Sequence, residues 1–448
     1  MILSLLAILV AAQEKSDYAV VVSKRTSTEW ADVVQALKEK HSAAVIVYDA
    51  EVSEAKKGLA DLAPRYACFV ARPEEAGRAF VLAVHRLTRE LNDDPYGDCL
   101  WGIVTGYDSG DALRIAKQKE PLRVRRVVAG CGVPLEIFRE GAWYSEGEKN
   151  ARWEKSKGGA PEKKTCPDDT TQAIADELRR GCDLFQTSGH ATFRDWQIGY
   201  SYKNGMFVCK EGQLIGVDTQ RRGFKIESSS PKLYSALGNC LMGLIPDREA
   251  MALAWMHTGG VTQMTGYVVS TWYGYGGWGV HDYFLTGRAT YAESFYLNNQ
   301  ALVWQLESRF PKTARVRFED FEIEKDPDLI NKLARKHGLR EKDEVGLLWD
   351  RDTVAFYGDP AWEARLDREG DPGFDQKLTE KSGVWVFEVT ARAEGSWGRP
   401  PAMVLPTRVK NPTVVEGQGI VTRNFVLLPL TGKYAAGDSW RLRFRAGP

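Results

Sequence analysis

Short apolar segments alternate with helical patterns through the first 130 residues, and this alternation constrains the fold more than any other feature. Continuous apolar runs predict buried strands at 18–22, 43–48, 66–71, 100–105 and 124–129. Helical periodicity between them predicts helices at about 30–37, 74–91 and 111–119. Strands and helices in this order form βαβ units, so we expect a mostly parallel sheet flanked by helices.

A second α/β run follows, with strand patterns at 184–187, 233–237 and 261–270. The stretch before it, 145–170, is rich in Lys, Glu and Gly and is typical of an exposed loop. Near the C-terminus, short strand patterns separated by Gly and Pro predict a β-sandwich after a charged linker at 367–381. The expected organisation is an N-terminal α/β subdomain (18–144), the exposed loop (145–170), a second α/β subdomain (171–366) and the sandwich (383–448).

The composition excludes several classes of protein. The chain has 448 residues, 43% of them hydrophobic, which is too apolar for a disordered protein. Lys+Arg and Asp+Glu are both 60, so a neutral chain has no overall electrostatic reason to bind nucleic acid or an anionic membrane. No apolar run reaches the length that spans a bilayer. The seven cysteines contain no C-x-x-C spacing, which argues against a zinc ribbon and against a disulfide scaffold.

The N-terminus predicts export. Residues 2–12 form an apolar stretch of the length found in signal peptides, and Val10 and Ala12 are small enough for the −3 and −1 sites of a signal peptidase. We therefore expect a signal peptide at 1–12 and a periplasmic or extracellular protein, in which disulfides are permitted. The alternative interpretation of this stretch is a buried first strand.

A histidine and a cysteine each follow a predicted strand. The segment 184–187 leads through Ser188 and Gly189 to His190, and the segment 233–237 leads through Gly238 and Asn239 to Cys240. Parallel strands present their C-terminal ends at one edge of a sheet, so the two side chains can meet there. A thiol needs a base to form the nucleophilic thiolate, and an imidazole supplies one. Backbone N–H groups near Gly189 and Cys240 are candidates for binding an oxyanion.

This arrangement resembles the caspase-like cysteine peptidases, and most of all their gingipain-type branch. The segment 94–102, the Ser-Thr-Trp at 270–272 and the Gly-Asp-Pro at 358–360 are similar to segments of that branch. Trp196 follows His190 by six residues, as it does in gingipains. The resemblance covers the chain from about residue 18 onward. It implies an α/β fold of two caspase-like subdomains followed by an immunoglobulin-like domain.

The resemblance also implies a function, a cysteine endopeptidase that acts on proteins or peptides through a thioacyl intermediate. In this interpretation Cys240 is the nucleophile and His190 the general base and acid. Asp98 would orient the imidazole, and Gly189 and Ala191 would lie beside the oxyanion. Asp111 would be an acidic S1 residue that favours Arg or Lys at P1. Trp272 and Trp196 would be aromatic contacts for the substrate.

Two positions depart from the family pattern, and they leave alternatives open. The family usually has Gly after the His and Ala before the Cys, whereas this chain has Ala191 and Asn239. A weakened pseudo-peptidase, or an α/β peptide-binding protein with incidental His and Cys, therefore stays as an alternative. The sequence predicts no catalytic metal or organic cofactor. The acidic pairs at 93–94 and 168–169 are compatible with a structural calcium ion.

Overall fold

A computed structural model describes residues 16–317 and 329–447 of the chain. The predicted signal peptide, 1–12, lies outside these ranges. The helices are α1 Lys24–Glu29, α2 Ala31–His41, α3 Lys56–Leu62, α4 Arg78–Arg89, α5 Ser109–Lys117, α6 Thr171–Arg180, α7 Met251–His257, α8 Gly277–Leu285, α9 Tyr291–Arg309, α10 Pro311–Ala314, α11 Leu329–His337 and α12 Lys342–Arg351. Within the described ranges, no helix is both long and apolar enough to cross a membrane.

The α/β part of the chain is built on one large sheet. Its strands and those of smaller neighbouring sheets are β1 Tyr18–Ser23, β2 Ala44–Tyr48, β3 Tyr66–Val70, β4 Leu100–Val104, β5 Leu122–Val124, β6 Arg126–Ala129, β7 Glu140–Tyr144, β8 Ala151–Lys155, β9 Glu162–Thr165, β10 Leu184–Thr187, β11 Asp195–Gln197, β12 Met206–Lys210, β13 Gln213–Val217, β14 Gly223–Ile226, β15 Lys232–Ala236, β16 Val261–Tyr267, β17 Val354–Tyr357 and β18 Ala364–Leu366. The large sheet has the order β2-β1-β3-β4-β17-β16-β15-β10-β6-β7-β8-β9. The predicted mixed α/β fold with a mostly parallel sheet is confirmed.

The sheet consists of two parallel halves that run in opposite directions. The strands β2, β1, β3, β4 and β17 are parallel to one another, and so are β16, β15, β10, β6 and β7. The halves meet where β16 pairs antiparallel with β17. Strands such as β1 and β15 are buried at every position because the sheet is covered on both faces.

The two halves of the sheet do not coincide with the predicted subdomains. The strands β6 and β7 precede residue 145 but lie beside β10, and β17 comes late in the chain but lies beside β4. The chain therefore crosses between the halves more than once. The predicted boundary at 144 does not separate the two halves of the sheet. Strand pairing decides which half a strand joins, and sequence periodicity does not encode that pairing.

The stretch 145–170 contains two strands and is not simply a loop. β8 pairs antiparallel with β7, and the exposed strand β9 pairs antiparallel with β8, so this hairpin extends the sheet at its edge. The indoles of Trp143 and Trp153 face each other across β7 and β8 and stack with their ring centroids 3.9 Å apart. The polar composition that predicts a loop here reflects an edge hairpin exposed to solvent.

The C-terminal strands enclose a separate small core. They are β19 Phe374–Lys381, β20 Val384–Ala391, β21 Gly395–Trp397, β22 Ala402–Val404, β23 Thr413–Glu416, β24 Ile420–Val421, β25 Phe425–Leu427, β26 Gly432–Tyr434 and β27 Ser439–Arg445. Phe387, Leu405, Leu442 and Phe444 pack between the sheets β19-β20-β27-β23 and β22-β25-β24. Residues 367–381 are thus not only a linker, because they include the first strand of this domain. An immunoglobulin-like topology stays a prediction.

Candidate active site

The predicted histidine and cysteine follow neighbouring strands at the same edge of the sheet. β10 and β15 are adjacent and parallel, with Thr187 opposite Ala236. His190 comes three residues after Thr187, and Cys240 comes four residues after Ala236. The His190 side chain is exposed and Cys240 is half-buried. Both groups are therefore placed at the carboxyl ends of adjacent strands, where open α/β sheets bind ligands.

A buried asparagine ties the two loops together. Asn239 is completely buried, and its Oδ1 accepts a hydrogen bond of 2.6 Å from the hydroxyl of Thr187. Its Nδ2 donates to the carbonyl oxygen of Gly189 at 3.1 Å. These two hydrogen bonds of Asn239 hold the cysteine loop against the turn that leads to His190. The departure from the family pattern at this position has a structural role in this chain.

The cysteine lies on a sharp turn. Leu241, the next residue, has φ +59°, a left-handed conformation that costs a non-glycine residue about 1–3 kcal/mol. Its N–H donates to the carbonyl oxygen of Val269 at 3.0 Å, and the N–H of Thr271 donates to Sγ of Cys240 at 3.2 Å. Trp272 follows directly and is 60% exposed. The structure therefore brings Trp272 to the loop that touches the thiol.

A glutamate that the sequence analysis missed lies beside the histidine turn. Glu146 follows β7, which ends at the same edge as β10. Its Oε2 is buried and has no hydrogen-bond partner among the described residues, and it would lie 3.8 Å from a Cβ on Gly189. Burial raises the pKa of this carboxyl group. Gly189 itself has φ +88°, a conformation that only glycine adopts easily. Because it has no side chain, its backbone can lie close to the glutamate.

Trp196 lies below the site and does not line it. Its side chain is completely buried, and its indole N–H donates to the carbonyl oxygen of Ser188 at 2.9 Å. A Cβ on Gly130 would lie 2.3 Å from the ring, so the indole packs directly on that backbone. Ala191 forms a β-bridge with Trp196. The structure therefore does not expose Trp196 where the predicted substrate contact would need it, because the ring supports the histidine turn from within the core.

Asp98 does not reach the histidine. It precedes β4, which is four strand positions from β10, or about 19 Å at 4.8 Å per strand. Its Oδ1 accepts a hydrogen bond of 2.5 Å from Asn92, and its backbone carbonyl accepts one of 2.6 Å from Asn424 of the C-terminal domain. Burial raises the pKa of this carboxyl group to about 7. The structure therefore does not bring the Asp98 carboxyl group to His190, where the predicted imidazole-orienting role would place it.

Asp111 lies at the opposite edge of the sheet from Cys240. It belongs to α5, which follows the carboxyl end of β4, and β4 runs opposite to β15 and β16. Its Oδ2 is 2.9 Å from Nδ1 of His257, the last residue of α7. Burial raises the pKa of the Asp111 carboxyl group. The structure therefore does not bring Asp111 to the edge at which an S1 pocket beside Cys240 would lie, because the sheet reverses direction between the two residues.

The other cysteines are poor candidates for a nucleophile. All seven are free. Burial raises the pKa of the Cys68, Cys99 and Cys166 thiols, and it raises the pKa to about 12 in Cys131 and to about 11 in Cys182 and Cys209. No three His, Cys, Asp or Glu side chains converge on a metal site within 16–317 and 329–447. Of the acidic pairs named above, Asp168 forms an ion pair with Lys149, so that carboxylate already has a cation.

Two solved structures are similar to this chain. One is described as a complex of Porphyromonas gingivalis RgpB pro- and mature domains, with 10% identity, 92% of this chain and 93% of that chain covered, and a TM-score of 0.43. The other is described as the Arg-specific cysteine proteinase gingipain R, with 11% identity, 94% and 93% covered, and a TM-score of 0.40. No protein-family model and no curated protein matches the chain. The site is therefore interpreted from its own geometry.

Proposed function

We propose that this protein is a cysteine peptidase with Cys240 as nucleophile and His190 as general base and acid. The observation that carries the proposal is the placement of both residues at the carboxyl ends of β10 and β15, with Asn239 bonded to both loops. Among the described residues, Cys240 is also the one cysteine that lies at this edge and retains solvent access there.

The proposed reaction follows from these groups. His190 takes the proton of the Cys240 thiol, and the thiolate attacks the carbonyl carbon of a peptide bond. Backbone N–H groups at Gly189 and Cys240 stabilise the oxyanion of the tetrahedral intermediate. The C–N bond then breaks, and the imidazolium protonates the leaving amine. Water, deprotonated by His190, hydrolyses the thioester and releases the acid product and the free thiol.

Two further residues support this chemistry. We assign to Glu146 the orientation of the imidazole, because its buried, unpaired oxygen lies next to the residue that precedes His190. The exposed indole of Trp272 gives a flat apolar wall for a substrate side chain next to the thiol. Asp111 lies at the opposite edge of the sheet from Cys240, so it gives no support for a preference for Arg or Lys at P1. The apolar N-terminal residues support export, so the proposed substrates are extracytoplasmic proteins or peptides.

The direct test is turnover of a fluorogenic peptide library with every amino acid at P1. We expect the wild type to cleave a subset of the library and Cys240→Ala to cleave none. Cys209→Ala is the matched control, because Cys209 is the other half-exposed cysteine but lies on β12, away from the strand ends. It should keep wild-type turnover. Binding of peptides without any cleavage by the wild type would instead support the pseudo-peptidase alternative.

Thiol labelling tests the same proposal without a substrate. Iodoacetamide below neutral pH should modify Cys240 faster than the other six cysteines, as located by peptide mass mapping. Replacing His190 by Ala should remove this advantage. Equal labelling of Cys240 and Cys209 in the wild type would contradict the assigned dyad.

A further inference from the structure

A large cavity lies between the α/β part and the C-terminal β domain. Its volume is about 850 Å³, and it is lined by the end of α8, the start of α9 and the strand β19. The first residue of α8, Gly277, contacts the backbone of Leu237 on the cysteine loop. The nine residues of α8 span about 13 Å. Four or five residues of an extended peptide cover the same distance.

The charges around this cavity are strongly unbalanced. Two carboxylates line it, those of Asp282 and Glu293. Six cationic side chains line it, three times the number of carboxylates: those of Arg65, Arg288, Arg365, Arg368, Arg399 and Lys377. An excess of fixed cations in a cleft attracts an anionic ligand, and guanidinium groups bind carboxylates in a bidentate manner.

The arginines are held in place mainly by neutral groups. Arg288 donates from Nη2 to the carbonyl oxygen of Phe374 and lies over the Phe374 ring, with 4.5 Å between Cζ and the ring centroid. Its Nη1 is buried and has no hydrogen-bond partner in the part of the chain that the structure describes. Arg368 donates from Nε to the carbonyl oxygen of Leu285 at 3.0 Å. Arg399 and Arg365 form ion pairs with Asp282 and Glu293, at 3.2 and 3.4 Å. The two carboxylates of the lining thus pair with two of its six cations, and the lining holds no further carboxylate for the other four.

The wall of the cavity also includes an unpaired strand edge. β19 pairs with β20 on one side and is the last strand of its sheet in the described residues. Phe374 lies opposite Ala391, whose N–H and C=O bond toward β27, so this is a non-hydrogen-bonded pair of β19 and β20. By the alternation of an antiparallel ladder, the backbone groups of Gln376 and Leu378 also point away from β20. Both residues line the cavity.

We propose that this cavity binds an acidic, extended peptide segment. The segment would pair its backbone with the free edge of β19 and place Asp or Glu side chains on the arginines. It would serve as a second contact for protein substrates, at the far end of α8 from the cysteine loop. This role in substrate binding rests on the proposed peptidase function, whereas binding of the acidic peptide to the cavity does not depend on it. An edge strand with free N–H and C=O groups favours a peptide over an acidic saccharide, because an extended peptide backbone repeats its own N–H and C=O groups at the matching spacing.

The test measures binding in full-length Cys240→Ala protein, so that cleavage plays no part. The probe is a fluorescein-labelled 12-residue peptide of alternating Glu and Val, compared with its Gln-for-Glu analogue by fluorescence anisotropy at low salt. We expect saturable binding of the acidic peptide and at least tenfold weaker binding of the neutral one. N-methylation of alternate backbone nitrogens should weaken binding at least tenfold, because it removes the donors that a strand edge requires.

Two double variants separate the cavity from general surface charge. Lys377→Gln with Arg399→Gln should weaken binding of the acidic peptide at least tenfold. Arg221→Gln with Lys225→Gln removes two exposed cations of the β13–β14 region and should leave binding unchanged. Equal binding of acidic and neutral peptides, or equal effects of the two double variants, would overturn the proposal. Binding of an oligoglucuronate but not of the peptide would overturn it in favour of a saccharide site.

Discussion

Replacement of Asn239 by Ala tests whether one buried side chain sets the geometry of the site. The substitution removes the 2.6 Å bond from Thr187 and the 3.1 Å bond to the Gly189 carbonyl. Thr187 keeps its 2.9 Å hydrogen bond with Tyr234, whereas the Gly189 carbonyl loses this side-chain donor. Leaving the Gly189 carbonyl unpaired costs about 1–3 kcal/mol and losing the Thr187 bond costs about 0.5–1.5 kcal/mol, so the free energy of unfolding should fall by about 2–4 kcal/mol.

Thermal unfolding measures this loss. The entropy of unfolding is about 2.1 cal/mol/K per residue, or about 0.9 kcal/mol/K for 448 residues. A loss of 2–4 kcal/mol therefore corresponds to a Tm lower by about 2–4 °C. Peptide turnover should fall more than the stability loss alone requires, because the histidine turn is no longer tied to the cysteine loop. We expect kcat/KM to fall at least tenfold while the protein stays folded at 25 °C.

The control is Gln197→Ala on β11, which follows the histidine turn. Gln197 is exposed, and its Nε2 donates to the nearby carbonyl oxygen of Gly199 at 3.0 Å. Its loss should change the free energy of unfolding by less than about 0.5 kcal/mol and leave turnover intact. If Asn239→Ala matches this control in both Tm and the alkylation rate of Cys240, the tether argument is refuted.

Three carboxylates give further predictions. Glu146→Gln should lower kcat/KM at least tenfold without lowering Tm at pH 7, because burial raises the Glu146 pKa and so disfavours its charge in the folded state. Asp98→Asn should raise Tm at pH 8 but not at pH 4, since a folded-state pKa of about 7 means that stability is lost as pH rises through it; kcat/KM should stay within twofold. Asp359→Asn should lower the free energy of unfolding by about 3–5 kcal/mol at pH 7, because the buried Asp359 accepts 2.8 and 2.7 Å bonds from Lys40 and His41. Burial raises the pKa of Asp359, but His41 and Lys40 outweigh it and hold the pKa below its usual range. This stability is fully present above the unfolded pKa of about 4 and is lost as pH falls through the lower folded-state pKa, so the Tm difference between wild type and variant should be smaller at pH 3 than at pH 7. An unchanged Tm difference between pH 7 and pH 3 would contradict the Asp359 argument, and a large activity loss in Asp98→Asn would contradict its placement away from the site.

The sequence predicts the catalytic pair because its signals are local. A buried strand, a Gly-containing turn and a reactive side chain fall within a few residues of each other at both His190 and Cys240. Parallel crossover geometry then brings the two strand ends to one edge without further information. The alternation of elements likewise predicts the mostly parallel sheet, which depends on periodicity within each segment.

The acidic residues of the site could not be assigned in this way, because their positions depend on strand order and direction. Asp98 and Asp111 were expected near the site. The strand order puts Asp98 four strands away, and the antiparallel joint between β16 and β17 puts Asp111 at the far edge. Glu146 lies in a stretch whose polar composition predicts a loop, yet the pairing of β7 with β6 brings it to the histidine turn. The sequence by itself therefore determined which segments become strands and helices and which two side chains follow the strands, since these are short-range properties. Only the tertiary structure decided which carboxylate accompanies them and which surfaces enclose the arginine-lined cavity, since both come from pairing and packing between segments far apart in the chain.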